Sequence, residues 1–111
     1  MNITSLTLRD LEYLVAVADH QHFGKAAESC HVSQPALSTQ VKKTEDFLGI
    51  RVFERSNRSV SVTALGSEVV EQARIVLEEA AKIAVLASRQ AEPLSGVFRL
   101  GVIATLGPYL M

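Results

Sequence analysis

Leu8, Leu11, Leu14, Val15 and Ala18 return every three or four positions, the period of a helix with one buried face. They predict a first helix over Leu8–Asp19, with Thr7 as its N-cap and Asp10, three residues on, as the capping-box partner. Gln21–Gly24 reads as a break. A short second helix over Lys25–Cys30 follows, and its small residues Ala26 and Ala27 let a neighbouring helix come close. Only His31 and Val32 separate it from Ser33, which has the chemistry of an N-cap, and Pro35 falls in the first turn, where its missing N–H costs nothing. Leu37, Val41, Thr44 and Leu48 then share one face of a third helix, and Gly49 is its stop.

Two helices joined by so short a turn cross at a steep angle, as in a helix-turn-helix. After them, Arg51–Arg55, the polar trio Ser56-Asn57-Arg58 and the alternating run Ser59–Val62 change the period to that of strands around a turn. This is a small hairpin with basic residues near its tip. Thr63 then caps a long helix over Ala64–Gln90. In it Val69, Ala73, Val76, Ala80, Ile83 and Ala87 are spaced 4-3-4-3-4, a heptad seam, with Val70, Leu77 and Ala84 in a second row beside it. Such a helix is too long for three short helices to cover, so its apolar face calls for a second copy. The fold class expected is therefore mainly α: a winged helix-turn-helix of three helices and a β-hairpin wing, followed by a long dimerising linker helix. Residues 1–63 form the head and 64–91 the linker, whose helix Pro93 and Gly96 end, and 92–111 a hinge with a buried strand over Val97–Thr105.

Composition changes this picture little. Hydrophobic residues make up 48% and charged residues 21% of 111 residues, which suits one ordinary folded domain. No stretch approaches the roughly 20 apolar residues of a membrane span. Arg9, Asp10 and Glu12 come too early for a secretory signal. The single cysteine, Cys30, excludes an internal disulfide and fits a reducing cytoplasm. Its neighbours Ala26, Ala27 and Val32 mark it as a core thiol rather than a nucleophile. His20, His22 and His31 match no metal-ligand spacing. No catalytic triad, carboxylate pair or phosphate-cradling glycine loop stands out. Neither enzyme activity nor a metal or other cofactor is expected.

Charge argues the other way. The net charge is −1, whereas a basic domain is the usual footprint of a nucleic-acid binder. Residues 1–66 carry seven Lys and Arg against seven Asp and Glu, so the head is neutral. The order of residues says more. With Leu37, Val41, Thr44 and Leu48 turned inward, the opposite side of the third helix carries Pro35, Ser38, Thr39, Lys42, Lys43 and Asp46, with Gln34 at its exposed start. Gln can pair bidentately with adenine, and Ser or Thr can reach several base edges. Lys42, Lys43 and the helix N-terminus at Ser33 suit phosphates, as do Arg55 and Arg58 on the wing. The bland reading is a solvated helix face and ordinary hairpin-tip charges. A rival of a different class is a dimerisation or protein-interaction module whose head does not bind DNA.

Three runs carry a resemblance: Phe23-Gly24-Lys25-Ala26-Ala27, then Val32-Ser33-Gln34-Pro35-Ala36-Leu37-Ser38, then Leu48-Gly49-Ile50-Arg51-Val52-Phe53-Glu54-Arg55. They resemble the N-terminal signature of LysR-type transcription regulators, over about Leu8–Ala91. Arg9–Ala16, Ser29–Val32 and Gly107-Pro108-Tyr109-Leu110 look most like the peroxide-sensing OxyR branch of that family. The resemblance implies a homodimer joined by antiparallel linker helices, bound as a transcription regulator to an interrupted palindromic operator near a promoter. The tetramer of a full-length protein and RNA polymerase are further partners it brings into view, and a bacterial, nucleoid-associated location in the cytoplasm follows. It also implies an effector domain, of which residues 92–111 hold only the hinge and first strand and the rest lies beyond Met111. For the OxyR-like branch it implies an activator responding to oxidative stress. Two residues depart from the family pattern. Thr44 stands in the core face where leucine is usual, and needs a partner such as the carbonyl one turn back. Thr39 stands where arginine is frequent.

Overall fold

The computed structural model describes residues 2–56 and 59–91. A single 3-10 turn at Ile3–Ser5 leads into α1 (Leu8–His20), α2 (Phe23–Cys30), α3 (Gln34–Leu48), β1 (Phe53–Arg55), β2 (Val60–Val62) and α4 (Ala64–Ala91). The capping box that opens α1 is complete: Asp10 N–H donates to Thr7 Oγ1 at 3.1 Å and Thr7 N–H to the Asp10 carboxylate at 3.0 Å. Asp10 is only 5% exposed, and a buried carboxylate requires partners. Its second oxygen finds one in Gln40 Nε2 at 2.8 Å, which ties the start of α1 to the middle of α3.

One element begins earlier than the residue pattern suggests. The expected break over Gln21–Gly24 is confined to Gln21, which closes α1 at φ 52°, and His22. α2 starts at Phe23, because His22 Nδ1 accepts the Lys25 N–H at 3.0 Å and so caps the helix. Histidine is outside the usual N-cap set, so no familiar start signal marks that position. α3 opens and closes as its residues predict: Ser33 Oγ accepts the Ala36 N–H at 3.3 Å, and Gly49 takes the left-handed φ of 74° at the C-cap. Thr44 is buried, and its hydroxyl donates to the Gln40 carbonyl at 3.0 Å.

The hairpin is antiparallel, with Phe53 opposite Val62 and Arg55 opposite Val60. Leu14 and Val17 of α1, Leu37 and Val41 of α3, and Val52 and Phe53 at the wing are the largest fully buried side chains. Val70 and Ala73 of α4 join the same core, with Val69 and Leu77 packed at its edge. By compactness the chain divides into Met1–Leu77 and Glu78–Met111, a boundary inside α4. The first unit therefore takes in the first turns of α4, whose Val70 and Ala73 join its core. There Arg74 bridges to Asp19 of α1. In the second unit the described residues are the continuation of α4, with Lys82 paired to Glu79 at 2.9 Å. The strand expected over Val97–Thr105, the hinge and Arg58 lie outside the described residues. Among the described residues, no helix is long and apolar enough to cross a membrane.

Candidate nucleic-acid interface

α3 presents its outer face to solvent. Ser33, Gln34, Pro35, Thr39, Lys42, Lys43 and Asp46 are exposed, while Ser38 is half-buried. The start of α3 lies against the start of α2: Gln34 Oε1 is 3.4 Å from the point that a Cβ on Gly24 would occupy. The absence of a side chain at Gly24 leaves room for both the Gln34 amide and the His22 ring.

The wing is fixed to α3 by a residue that the helical pattern does not single out. Glu45 Oε2 accepts the N–H groups of Val52 at 2.8 Å and Phe53 at 3.1 Å. A carboxylate accepting two backbone donors is a strong, directional anchor. The signal was weak because Glu45 merely continues the polar face, and its partners are backbone groups after a turn. Between the end of α3 and the wing lies a groove of about 720 Å³, with Lys42, Asp46, Arg51 and Arg55 on its walls. Phe53 and Arg55 sit two apart on β1 and so share a face. Accordingly Arg55 turns toward α2, its guanidinium carbon 4.3 Å from the centroid of the Phe23 ring. Phe23 in turn meets Phe53 edge-on, at 6.3 Å and 78°.

Among the described residues, Lys42, Lys43 and Arg55 take part in no ion pair. Several acids of the head are occupied elsewhere: Asp10 in the cap, Asp19 with Arg74, Glu45 with the wing backbone. The hydrogen bond from Arg74 holds the Asp19 carboxyl below its usual range. Glu54 faces Arg51 at 3.9 Å, with both side chains well exposed, and such a pair contributes little. The neutral total thus conceals a face on which three cations have no acidic partner among the described residues. Cys30 is half-buried beside the core, and His22 serves as a helix cap.

Of the six seam residues on α4, Ala73 is 2% exposed in the core of the head, and Val69 is half-buried at the edge of that core. Ala80 is half-buried, whereas Val76, Ile83 and Ala87 are exposed, Ile83 at 69%. Leu65, Ile75 and Leu86 are exposed as well. The step from Val76 to Ile83 is one heptad, and Leu86 lies three residues further on, so these positions keep helical spacing. Compared with the seam, the exposed row is turned around the helix toward Ile75 and Leu86, because the head claims Val69 and Ala73 first.

Residues 8–67 match the model of the bacterial regulatory helix-turn-helix proteins of the lysR family. The chain belongs to the LysR family. It is 53% identical to the hydrogen peroxide-inducible genes activator of Pectobacterium carotovorum subsp. carotovorum, over 96% of this chain and 35% of that protein. It thus spans about a third of the length of the curated relatives it matches. Among solved structures it is similar to a full-length OxyR variant from Pseudomonas aeruginosa, with 52% identity and a TM-score of 0.73 over 81% of this chain and 30% of that one. It is also similar to the BenM DBD bound to benA site 1 DNA, with 35% identity and a TM-score of 0.74 over 80% of this chain and all of that one. The LysR likeness covers the three helices, the wing and the start of α4, the elements that carry Lys42, Lys43 and Arg55.

Proposed function

We propose that the chain binds duplex DNA through the exposed face of α3 and the wing, and does so as a pair of copies joined along α4, as a transcription regulator. The observation that carries this reading is the set Lys42, Lys43 and Arg55, exposed and unpaired among the described residues, of which Lys42 and Arg55 line the groove between α3 and the wing. The likeness to the DNA-bound BenM DBD supports it. Gln34, Pro35, Ser38 and Thr39 sit where a helix in the major groove meets base edges. Ser33, whose oxygen is already accepting within the cap, keeps its hydroxyl proton for a phosphate. Lys42, Lys43, Arg55 and Arg58 meet the phosphate backbone. Two copies meet along Val76, Ile83 and the neighbouring Ile75 and Leu86, with Ala80 and Ala87 beside them and Val69 and Ala73 bracing the helix from the side of the head.

The relatives named as hydrogen peroxide-inducible activators support an oxidative-stress role for a full-length regulator of this kind; the bacterial cytoplasm as its location and RNA polymerase as a partner are part of the same proposal. The test is binding to a mixed-sequence duplex across a salt series. Neutralising Z phosphates gives a slope of log affinity against log salt of about −0.9Z, so four contacts per copy predict a slope of about −3.6 for one bound copy and about −7 for the pair. An absence of binding at low salt would leave the interaction-module reading in its place.

A further inference from the structure

Arg55 is not a loose charge at a hairpin tip. Its position on β1, two residues from the buried Phe53, turns its side chain to the inner face of the wing, and the guanidinium lies over Phe23, 4.3 Å from the ring centroid. Phe23 is itself locked: it is the first residue of α2, it is 8% exposed, and its ring packs edge-on against Phe53. Glu45 fixes the strand that carries both Phe53 and Arg55, through the Val52 and Phe53 N–H groups. A long, rotamer-rich side chain of the wing is therefore held by a rigid aromatic platform before any ligand arrives.

We propose that Phe23 is a positioning residue for DNA binding, which preorganises the Arg55 guanidinium on the groove it shares with Lys42, so that the phosphate backbone meets an arginine already in place. The inference rests on the DNA-binding reading above. Immobilising a long side chain on binding costs affinity, and doing so beforehand removes that cost. Arginine suits the task because its planar guanidinium stacks on an aromatic face, which an ammonium does not do in the same way.

The experiment measures fluorescence anisotropy of the full chain with a labelled mixed-sequence duplex about three helical turns long, between roughly 50 and 200 mM salt. Four variants are compared with the parent: Phe23→Leu, Arg55→Ala, the double variant, and Arg55→Lys. Arg55→Ala removes a charge, so it weakens binding and lowers the salt slope by about 1 per bound copy. Phe23→Leu keeps every charge and is expected to weaken binding roughly two- to tenfold with the slope unchanged, the range for one side chain immobilised on binding. The double variant binds as Arg55→Ala does, because a platform without its arginine has nothing left to hold. Arg55→Lys, at an exposed position, keeps the slope and loses affinity like Phe23→Leu, which decides the matter even if Phe23→Leu fails to fold. Losses from Phe23→Leu and Arg55→Ala that multiply in the double variant, or an Arg55→Lys variant that binds as tightly as the parent, overturn the proposal and leave DNA binding standing. A parent chain that does not bind the duplex overturns both.

Discussion

Replacing Gly66 with alanine is a small change on paper and a large one in this fold. Gly66 lies in the first turn of α4 and is buried. A Cβ there would sit 2.1 Å from the Val52 carbonyl oxygen and 2.8 Å from both its carbon and Thr63 Oγ1. None of these atoms can move cheaply. Val52 O accepts the Thr63 N–H at 2.9 Å, Thr63 Oγ1 donates to Arg51 O at 2.7 Å and accepts the Gly66 N–H at 2.9 Å, and Val52 N–H is held by Glu45. In an open helix the change would stabilise by about 1 kcal/mol through propensity. Overpacking a tight site costs about 1–3 kcal/mol and sometimes more, and a backbone overlap of this depth belongs at the upper end. The net expectation is destabilisation by about 2 kcal/mol or more, a fall in Tm of roughly 10 °C or more for a head of this size. Gly24→Ala is the internal control. Its Cβ would be 2.9 Å from His22 Cε1, in an exposed side chain that can swing away, so a lost cap and a gained propensity of about 1 kcal/mol each nearly cancel. Thermal denaturation of both variants by circular dichroism reads the difference, and equal Tm values for Gly66→Ala and the parent would refute the packing argument.

Other consequences are as direct. Gln34→Ala is expected to cost about 1–3 kcal/mol on a site selected from random DNA and to relax preference at one base pair; parallel losses on selected and random duplexes would make Gln34 a phosphate or helix-positioning contact. Val76→Asp with Ile83→Asp places two carboxylates on the apolar row of α4, where pairing would bury them without partners. Sedimentation of that double variant should show a monomer, and a stable dimer would place the contact on another face. The Asp19–Arg74 bridge supplies a pH signature. Because the folded Asp19 carboxyl titrates below its unfolded value, its contribution is full above about pH 4 and is lost as pH falls through the folded value. Both side chains are more than a third exposed, so Arg74→Ala should cost at most about 1 kcal/mol at pH 7, a deficit that closes on acidification; a deficit that persists well below the folded value would contradict the linkage.

The elements with local causes were open to reading from the residues, and those with distant causes were not. Thr7 with Asp10, Ser33 with Pro35, and Gly49 set their helix ends through groups at most four residues away, and the Thr44 hydroxyl found the carbonyl one turn back. The period change after Gly49 marked the wing for the same reason. His22 hid the start of α2, because an imidazole cap has no compositional signature. Glu45, the Asp10–Gln40 link and the Phe23–Arg55 stack join elements whose approach only the packed core determines. On α4 a heptad count finds apolar positions but cannot apportion them between the protein's own core and a partner. Once Val70 and Ala73 are used by the head, the remaining apolar positions define the row.

Net charge failed as a guide for a reason that is physical rather than statistical. Residues 1–66 are neutral by count, yet an approaching polyanion meets charges according to what already neutralises them. Asp10 is enclosed by a backbone N–H and the Gln40 amide, Glu45 by two backbone N–H groups, and Asp19 by a guanidinium. Each of these acids is engaged by interactions inside the head, whereas Lys42, Lys43 and Arg55 are not paired among the described residues. Asp46, like Glu12 and Glu28, is exposed and in no ion pair among the described residues, and it lies on the groove that also holds Lys42 and Arg55. Exposed charges interact across a Debye length of about 10 Å at 0.1 M salt. On the DNA-binding reading proposed above, Asp46 opposes the cations of the same groove and lowers the affinity of this face for DNA.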